Sequence, residues 1–128
     1  MTTVKFENGQ NGIYNAMGKQ ADGSFKAGCD GGLNPVELLE GSMALCVSLT
    51  LRAMFERDGV LKDDTSLVID VKGEKDPGGA NRFHKFDIKV KFPESFDEEY
   101  KKKAMVVAER GCTIGNTIIN SAAVNISE

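Results

Sequence analysis

Residues 34–59 read NPVELLEGSMALCVSLTLRAMFERDG, and this stretch decides the fold. Asn34 suits a helix N-cap, Pro35 the first helical position, and Glu37 stands three residues after the cap. Together they make a capping box, and the pattern predicts a helix from here to about Asp58. Gly59 follows as a left-handed stop. At 1.5 Å per residue such a helix is a rod of roughly 36 Å. From Met43 to Phe55 it is apolar nearly all round, which predicts a buried central helix. Ser48, Thr50 and Arg52 interrupt the run, and it falls short of the ~20 residues that a membrane span needs, so no membrane association is expected.

The segments on either side are built around this helix. Upstream, the dipeptides Asn8-Gly9, Asn11-Gly12 and Asp22-Gly23 favour positive φ and predict tight turns. Between them lie strand candidates around Thr3–Glu7, Gly12–Gly18 and Ser24–Gly28. A three-stranded piece so poor in large apolar residues must lean on something larger. Downstream, Leu67, Ile69 and Val71 alternate with polar neighbours. In the next strand His84, Phe86, Ile88, Val90 and Phe92 share one face, and Lys85, Asp87, Lys89 and Lys91 share the other. Ser95 and Glu98 repeat the capping-box spacing and open a second helix, which Gly111 closes. A turn through TIGNTIINS then leads to a last strand, AAVNIS. The order βββ-α-ββ-α-β defines an α+β class, read as one domain over residues 1–128.

Bulk composition narrows the function. The chain has 128 residues, 41% apolar and 27% charged, with a net charge of −3, as for an ordinary folded domain. No basic excess is present to meet phosphates, which disfavours nucleic-acid binding. The start, MTTVKFENGQ, has no apolar signal segment, and three cysteines suit reduced thiols; both point to a cytoplasmic protein. With a single histidine and no C-x-x-C, no metal site is expected. No phosphate loop or nucleophilic-serine elbow is present either, and no cofactor is expected.

The chemistry rests on Cys46 and Cys112. Cys46 lies mid-helix, where a cysteine is ordinarily a small hydrophobe. Ser42 and Thr50 stand one turn before and one turn after it, on the same face, and bring hydroxyls beside the sulfur. Cys112 comes 66 positions later, directly after the second helix. Two thiols on separate helices can form a reversible disulfide if the fold joins them. Cys29, in the glycine-rich AGCDGG, has no evident partner. His84 begins a core face and reads as a hydrogen-bonded structural histidine.

Three stretches, GLNPVELLEGSMALC, HKFDIKVKF and ERGCTIGNT, resemble the OsmC/Ohr family of osmotically inducible and organic-hydroperoxide-resistance proteins. The resemblance covers nearly the whole chain in order. It implies an OsmC-like fold, with antiparallel sheets wrapped around a long central helix, in an intertwined homodimer. It also implies a thiol peroxidase acting on small or organic hydroperoxides. In that reading Cys46 attacks the peroxide and becomes a sulfenic acid. Cys112 resolves it as a disulfide, and a dithiol of the lipoyl type reduces the pair. Gln10, Glu37, Ser42 and Thr50 would complete the pocket. The rival reading is an OsmC-like binding or structural dimer with an interface pocket and little peroxidase activity.

The chain departs from the better-characterised hydroperoxide members in two linked places. Their first hairpin carries an arginine that holds the reactive thiolate, and a glutamate directly after the Asn-Pro pair holds that arginine. Here Gly9-Gln10-Asn11-Gly12 places Gln10 in the arginine's slot, and Val36 takes the glutamate's. Losing both together avoids an unpaired buried charge. It also leaves Cys46 in need of another stabilising group, for which Lys5, Lys19, Lys26 and Arg110 are candidates.

Overall fold

The structure is a computed structural model describing residues 1–24, Gly28 and residues 31–128. Cys29, Lys26 and most of the strand expected over Ser24–Gly28 lie outside the described residues. The chain divides into two compact units, Met1–Leu39 and Glu40–Glu128.

The first unit holds an antiparallel meander of β1 (Thr3–Glu7), β2 (Gln10–Tyr14) and β3 (Gln20–Gly23), in that order. Asn8 and Gly9 have φ of 54° and 76° and make the tight turn the sequence predicts. The other two turn dipeptides do not turn. Asn11 pairs with Gly23 and Gly12 with Asp22, inside the ladder. Gly12 serves a close approach instead: a Cβ there would stand 2.7 Å from the Tyr14 hydroxyl. The second hairpin turns at Asn15–Lys19, where Asn15 Oδ1 accepts from the Met17 and Lys19 amides. A side-chain oxygen replacing a backbone acceptor is an Asx-type device, and it outweighed the Asn-Gly signal nearby.

Helix α1 (Pro35–Arg57) begins as predicted. The Glu37 amide donates to Asn34 Oδ1 at 2.8 Å and the Asn34 amide donates to Glu37 Oε2 at 2.7 Å, closing the capping box. Gly59 follows at φ +71°. With 23 residues α1 is, by length and composition alone, long and apolar enough to cross a bilayer. In the second unit, however, it acts as a core helix along one face.

That face presents Met43, Val47, Leu51, Met54 and Phe55, all buried. Against it pack the hairpin β4 (Val68–Lys75) with β5 (Phe83–Lys91) and the buried Ala104 and Ala108 of α2 (Glu98–Gly111). Phe55 is fully buried and meets the Phe96 ring edge-on at 4.9 Å. Glu40 accepts from the Gly73 amide at 3.0 Å, and Tyr100 donates its hydroxyl to Asp58 at 2.9 Å. The opposite stripe of α1 is bare: Leu45 is 60% exposed and Leu49 52%. The helix expected to be buried all round is covered on one side only.

Three other expectations need correction. Asp97, not Ser95, caps α2, its Oδ1 accepting from the Tyr100 amide at 2.7 Å. The Asp-x-x-Tyr cap competed with Ser-x-x-Glu and lies nearer the helical run. After Cys112 the chain forms a short helix, α3 (Thr113–Ile119), rather than a turn. Residues 121–128 form no strand, and Val124 and Ile126 stand 85% and 95% exposed. Alternation marks which residues suit a sheet, but a strand exists only where another strand supplies its hydrogen bonds. The observed order is βββ-α-ββ-α-α, still α+β.

Candidate functional site

The structure brings Cys46 and Cys112 together, both as free thiols. Helix α1 carries Cys46 on the half-buried shoulder of its core face. Cys112 is 4% exposed and sits at the junction of α2 and α3. Its backbone there is extended, with φ −79° and ψ 97°, so it ends one helix and caps the next. Its sulfur accepts from the Gly115 amide at 3.3 Å.

The close approach of the two helices depends on Gly111. A Cβ at that position would lie 2.7 Å from Thr50 Cγ2. Thr50 is one turn beyond Cys46, and Gly111 is the residue before Cys112. The glycine therefore lets the end of α2 settle against α1 where the two thiols meet. Thr50 also donates its hydroxyl to the Cys46 carbonyl at 2.9 Å.

The surroundings divide the two thiols electrostatically. The Ile114 amide, the Cys112 thiol and the Thr113 amide all donate to Cys46; against the cost of burial they hold its thiol below the usual range. Cys112 is pushed up, first by burial and then by its role as the donor to Cys46. Of the two, Cys46 is therefore the more readily ionised thiol and Cys112 the less. Among the described residues no charged side chain contributes to the Cys46 shift. Backbone donors from the first turn of α3 do the work for which a cation was sought. The sequence expectation missed them because it read that segment as a turn. The available signal was a cysteine at a possible cap position, three residues before Gly115.

The other named residues are placed as follows. Ser42 is half-buried on α1, one turn before Cys46. Glu37 spends both carboxylate oxygens on backbone, accepting from the Gly28 and Asn34 amides at 2.7 Å each. Those amides hold its carboxyl below the usual range. Gln10 is exposed in the first unit, opposite Glu7 at the start of β2. Of the candidate cations, Lys5 lies over the Tyr14 ring at 5.4 Å and Arg110 is exposed at the end of α2.

His84 falls at an irregularity in the hairpin, where Glu74 pairs with Lys85 and Lys75 with Phe83. The extra residue turns it out of the core face, so it is exposed rather than a core histidine. Its Nδ1 lies 3.1 Å from the Glu74 carbonyl. Among the described residues no cluster of three or more histidine, cysteine or acidic side chains could hold a metal ion.

Beside Cys112 lies a cavity of about 720 Å³. Its walls are largely apolar, formed by residues such as Met43, Val47, Phe86, Ile88, Met105 and Ile118. Cys112 is part of the lining, and His84, Lys85 and Glu109 add polar groups.

An α+β fold with a long apolar helix and two adjacent free cysteines beside an apolar cavity defines a candidate thiol redox protein. The chain belongs to the OsmC-like protein family, whose model matches residues 28–127. Solved structures share the fold. An OsmC-like protein from Mycoplasma pneumoniae superposes with a TM-score of 0.78 at 15% identity, over 94% of this chain and 87% of that one. The organic hydroperoxide resistance protein OhrB of Bacillus subtilis gives 0.59 at 18% identity, over 94% and 90%. An organic hydroperoxide resistance protein from Legionella pneumophila gives 0.59 at 17%, over 92% and 88%. No curated protein sequence matches the chain.

Proposed function

We propose that this protein is a thiol-dependent peroxidase that reduces organic or small hydroperoxides, with Cys46 peroxidatic and Cys112 resolving. The observation that carries the reading is geometric: the fold sets Cys46 of α1 against Cys112 at the α2–α3 junction, beside an apolar cavity, and the surroundings lower the Cys46 thiol and raise that of Cys112. The Cys46 thiolate attacks the distal peroxide oxygen and breaks the O–O bond. The alcohol leaves after taking up a proton, and Cys46 becomes a sulfenic acid. The Cys112 sulfur then attacks the Cys46 sulfur. Water leaves, taking the Cys112 proton, and a disulfide remains. A dithiol, of the lipoyl type that the family resemblance implies, returns the pair to thiols.

The functional unit in this proposal is a homodimer. The bare Leu45–Leu49 stripe is apolar surface on a helix otherwise fitted to a core, and a second copy is its natural cover. The test is consumption of cumene hydroperoxide with dihydrolipoamide as reductant, on wild type and on each cysteine-to-serine variant. Turnover in wild type, lost in Cys46→Ser and stalled at the sulfenic acid in Cys112→Ser, is the expected pattern. Undiminished turnover in Cys46→Ser would refute the assignment.

A further inference from the structure

We propose that the Ser42 hydroxyl donates a hydrogen bond to the leaving oxygen of a hydroperoxide as Cys46 attacks it. This rests on the peroxidase reading above and names the side chain that receives the departing oxygen. At about 100° per residue, Ser42 stands roughly 40° round α1 from Cys46 and one turn toward the N-terminus. The core face of Met43, Val47 and Met54 lies to the other side of Cys46. In a helix the Cα–Cβ bonds tilt toward the N-terminus, which inclines the Cys46 sulfur toward the turn that carries Ser42. Cβ atoms four residues apart on one face are about 5–6 Å from each other. Such a gap admits a peroxide oxygen between sulfur and hydroxyl. Both residues are half-buried, so a solute can reach them. Thr50, one turn the other way, is already committed: its hydroxyl donates to the Cys46 carbonyl at 2.9 Å. Glu37 has both carboxylate oxygens on backbone amides. Among the described residues the Ser42 hydroxyl has no hydrogen-bond partner.

In the step itself the Cys46 thiolate forms an S–O bond to the distal oxygen, which keeps its hydrogen. The O–O bond breaks and its electron pair leaves on the oxygen bound to carbon. Cys46 is oxidised by two electrons to the sulfenic acid, and the hydroperoxide is reduced by two to an alkoxide. The Ser42 O–H···O bond strengthens as that charge grows, and the alkoxide takes its proton from water while Ser42 keeps its own. A donor aimed at charge that develops only in the transition state speeds the reaction without tightening ground-state binding. The more basic the leaving oxygen, the more the donor contributes.

The test is Ser42→Ala, in which alanine, the best helix former, keeps α1 intact. The second-order rate of Cys46 oxidation is measured with three reagents, after a quench in N-ethylmaleimide and peptide mass mapping. Cumene hydroperoxide expels a basic alkoxide, peroxyacetic acid expels the much less basic acetate, and iodoacetamide alkylates the sulfur and expels iodide. Removing one preorganised donor from a buried site costs about a hundredfold or more, and at this half-buried position roughly tenfold is expected with cumene hydroperoxide. The loss should shrink to about twofold or less with peroxyacetic acid, and the iodoacetamide rate and its pH profile should not move. Equal losses with all three reagents mean that Ser42 only shapes the surroundings of Cys46, and overturn the proposal. So does an unchanged cumene hydroperoxide rate in the variant while wild type reacts; the peroxidase reading survives that result. A wild-type chain whose Cys46 alkylates but resists both peroxides sinks the peroxidase reading and this inference together.

Discussion

Replacing Gly111 with alanine places a methyl group where α2 meets α1. Its carbon would stand 2.7 Å from Thr50 Cγ2. Carbon pairs settle at about 3.5–4.0 Å, so the helices must part by roughly 1 Å or Thr50 must turn. Thr50 does not turn freely, because its hydroxyl is bonded to the Cys46 carbonyl at 2.9 Å. Overpacking of this kind costs about 1–3 kcal/mol, and alanine's better helix propensity returns about 0.5–1 kcal/mol. The net loss is about 0–2.5 kcal/mol, modest enough to leave a folded chain.

The larger effect falls on the next residue, Cys112. Drawing it back weakens the thiol donor to Cys46 and lengthens a span that must close to a Cα separation of about 4.4–6.8 Å in the disulfide. Diamide-driven disulfide formation should slow several-fold. The Cys46 thiol should titrate at higher pH, read from the pH dependence of its alkylation rate. Thr50→Ser removes the offending methyl and keeps the hydroxyl, so the double variant should recover both properties. Unchanged Cys46 titration and disulfide rate in folded Gly111→Ala, or no recovery in the double variant, would refute this account of the helix contact.

Four further outcomes follow from the same geometry. Phe55→Ala empties the centre of the core and should cost about 3–5 kcal/mol in denaturant unfolding, since the ring is fully buried against Phe96. Cys112→Ala removes both the donor to Cys46 and the cap on Gly115; α3 should lose about 0.5–2 kcal/mol and the Cys46 thiol should titrate higher. Cys112→Ser keeps a donor and a cap and should restore most of both, by the same alkylation profile. Leu49→Lys should convert a micromolar dimer to monomer in sedimentation; a monomeric wild type would defeat the proposed assembly. Glu37 has a lowered carboxyl pKa in the folded chain, so its contribution is present above about pH 4.3 and fades as pH falls through the folded value. Thermal melts from pH 6 to 3 should therefore show the advantage of wild type over Glu37→Gln shrinking toward the acid end.

Local signals carried much of this protein. The capping box at Asn34 and Glu37, the stop at Gly59 and the alternation of β4 and β5 depend on neighbours within a few residues. Such interactions can be read directly from spacing. The Asn8-Gly9 turn belongs with them, and so do the three stretches that mark the OsmC-like family. What the sequence did not reveal depended on competition or on distant partners. Asn15 won the second hairpin over two Asn-Gly-type dipeptides because its carboxamide could take two amides at once. The strand expected in AAVNIS did not form, because the residues that suit a strand do not supply its partner.

The candidate site divides the same way. Sequence alone singled out Cys46 and Cys112 as the candidate pair and placed each relative to its helix. It could not say what lowers the Cys46 pKa. Only the folded chain brings the Thr113 and Ile114 amides to that sulfur, along with the Cys112 thiol, and only Gly111 lets the helices close to that distance. The reason is physical: helix caps and strand faces are fixed by local geometry. The stabilisation of a thiolate depends on which donors lie within hydrogen-bond reach across 66 residues of chain, and that is decided by packing.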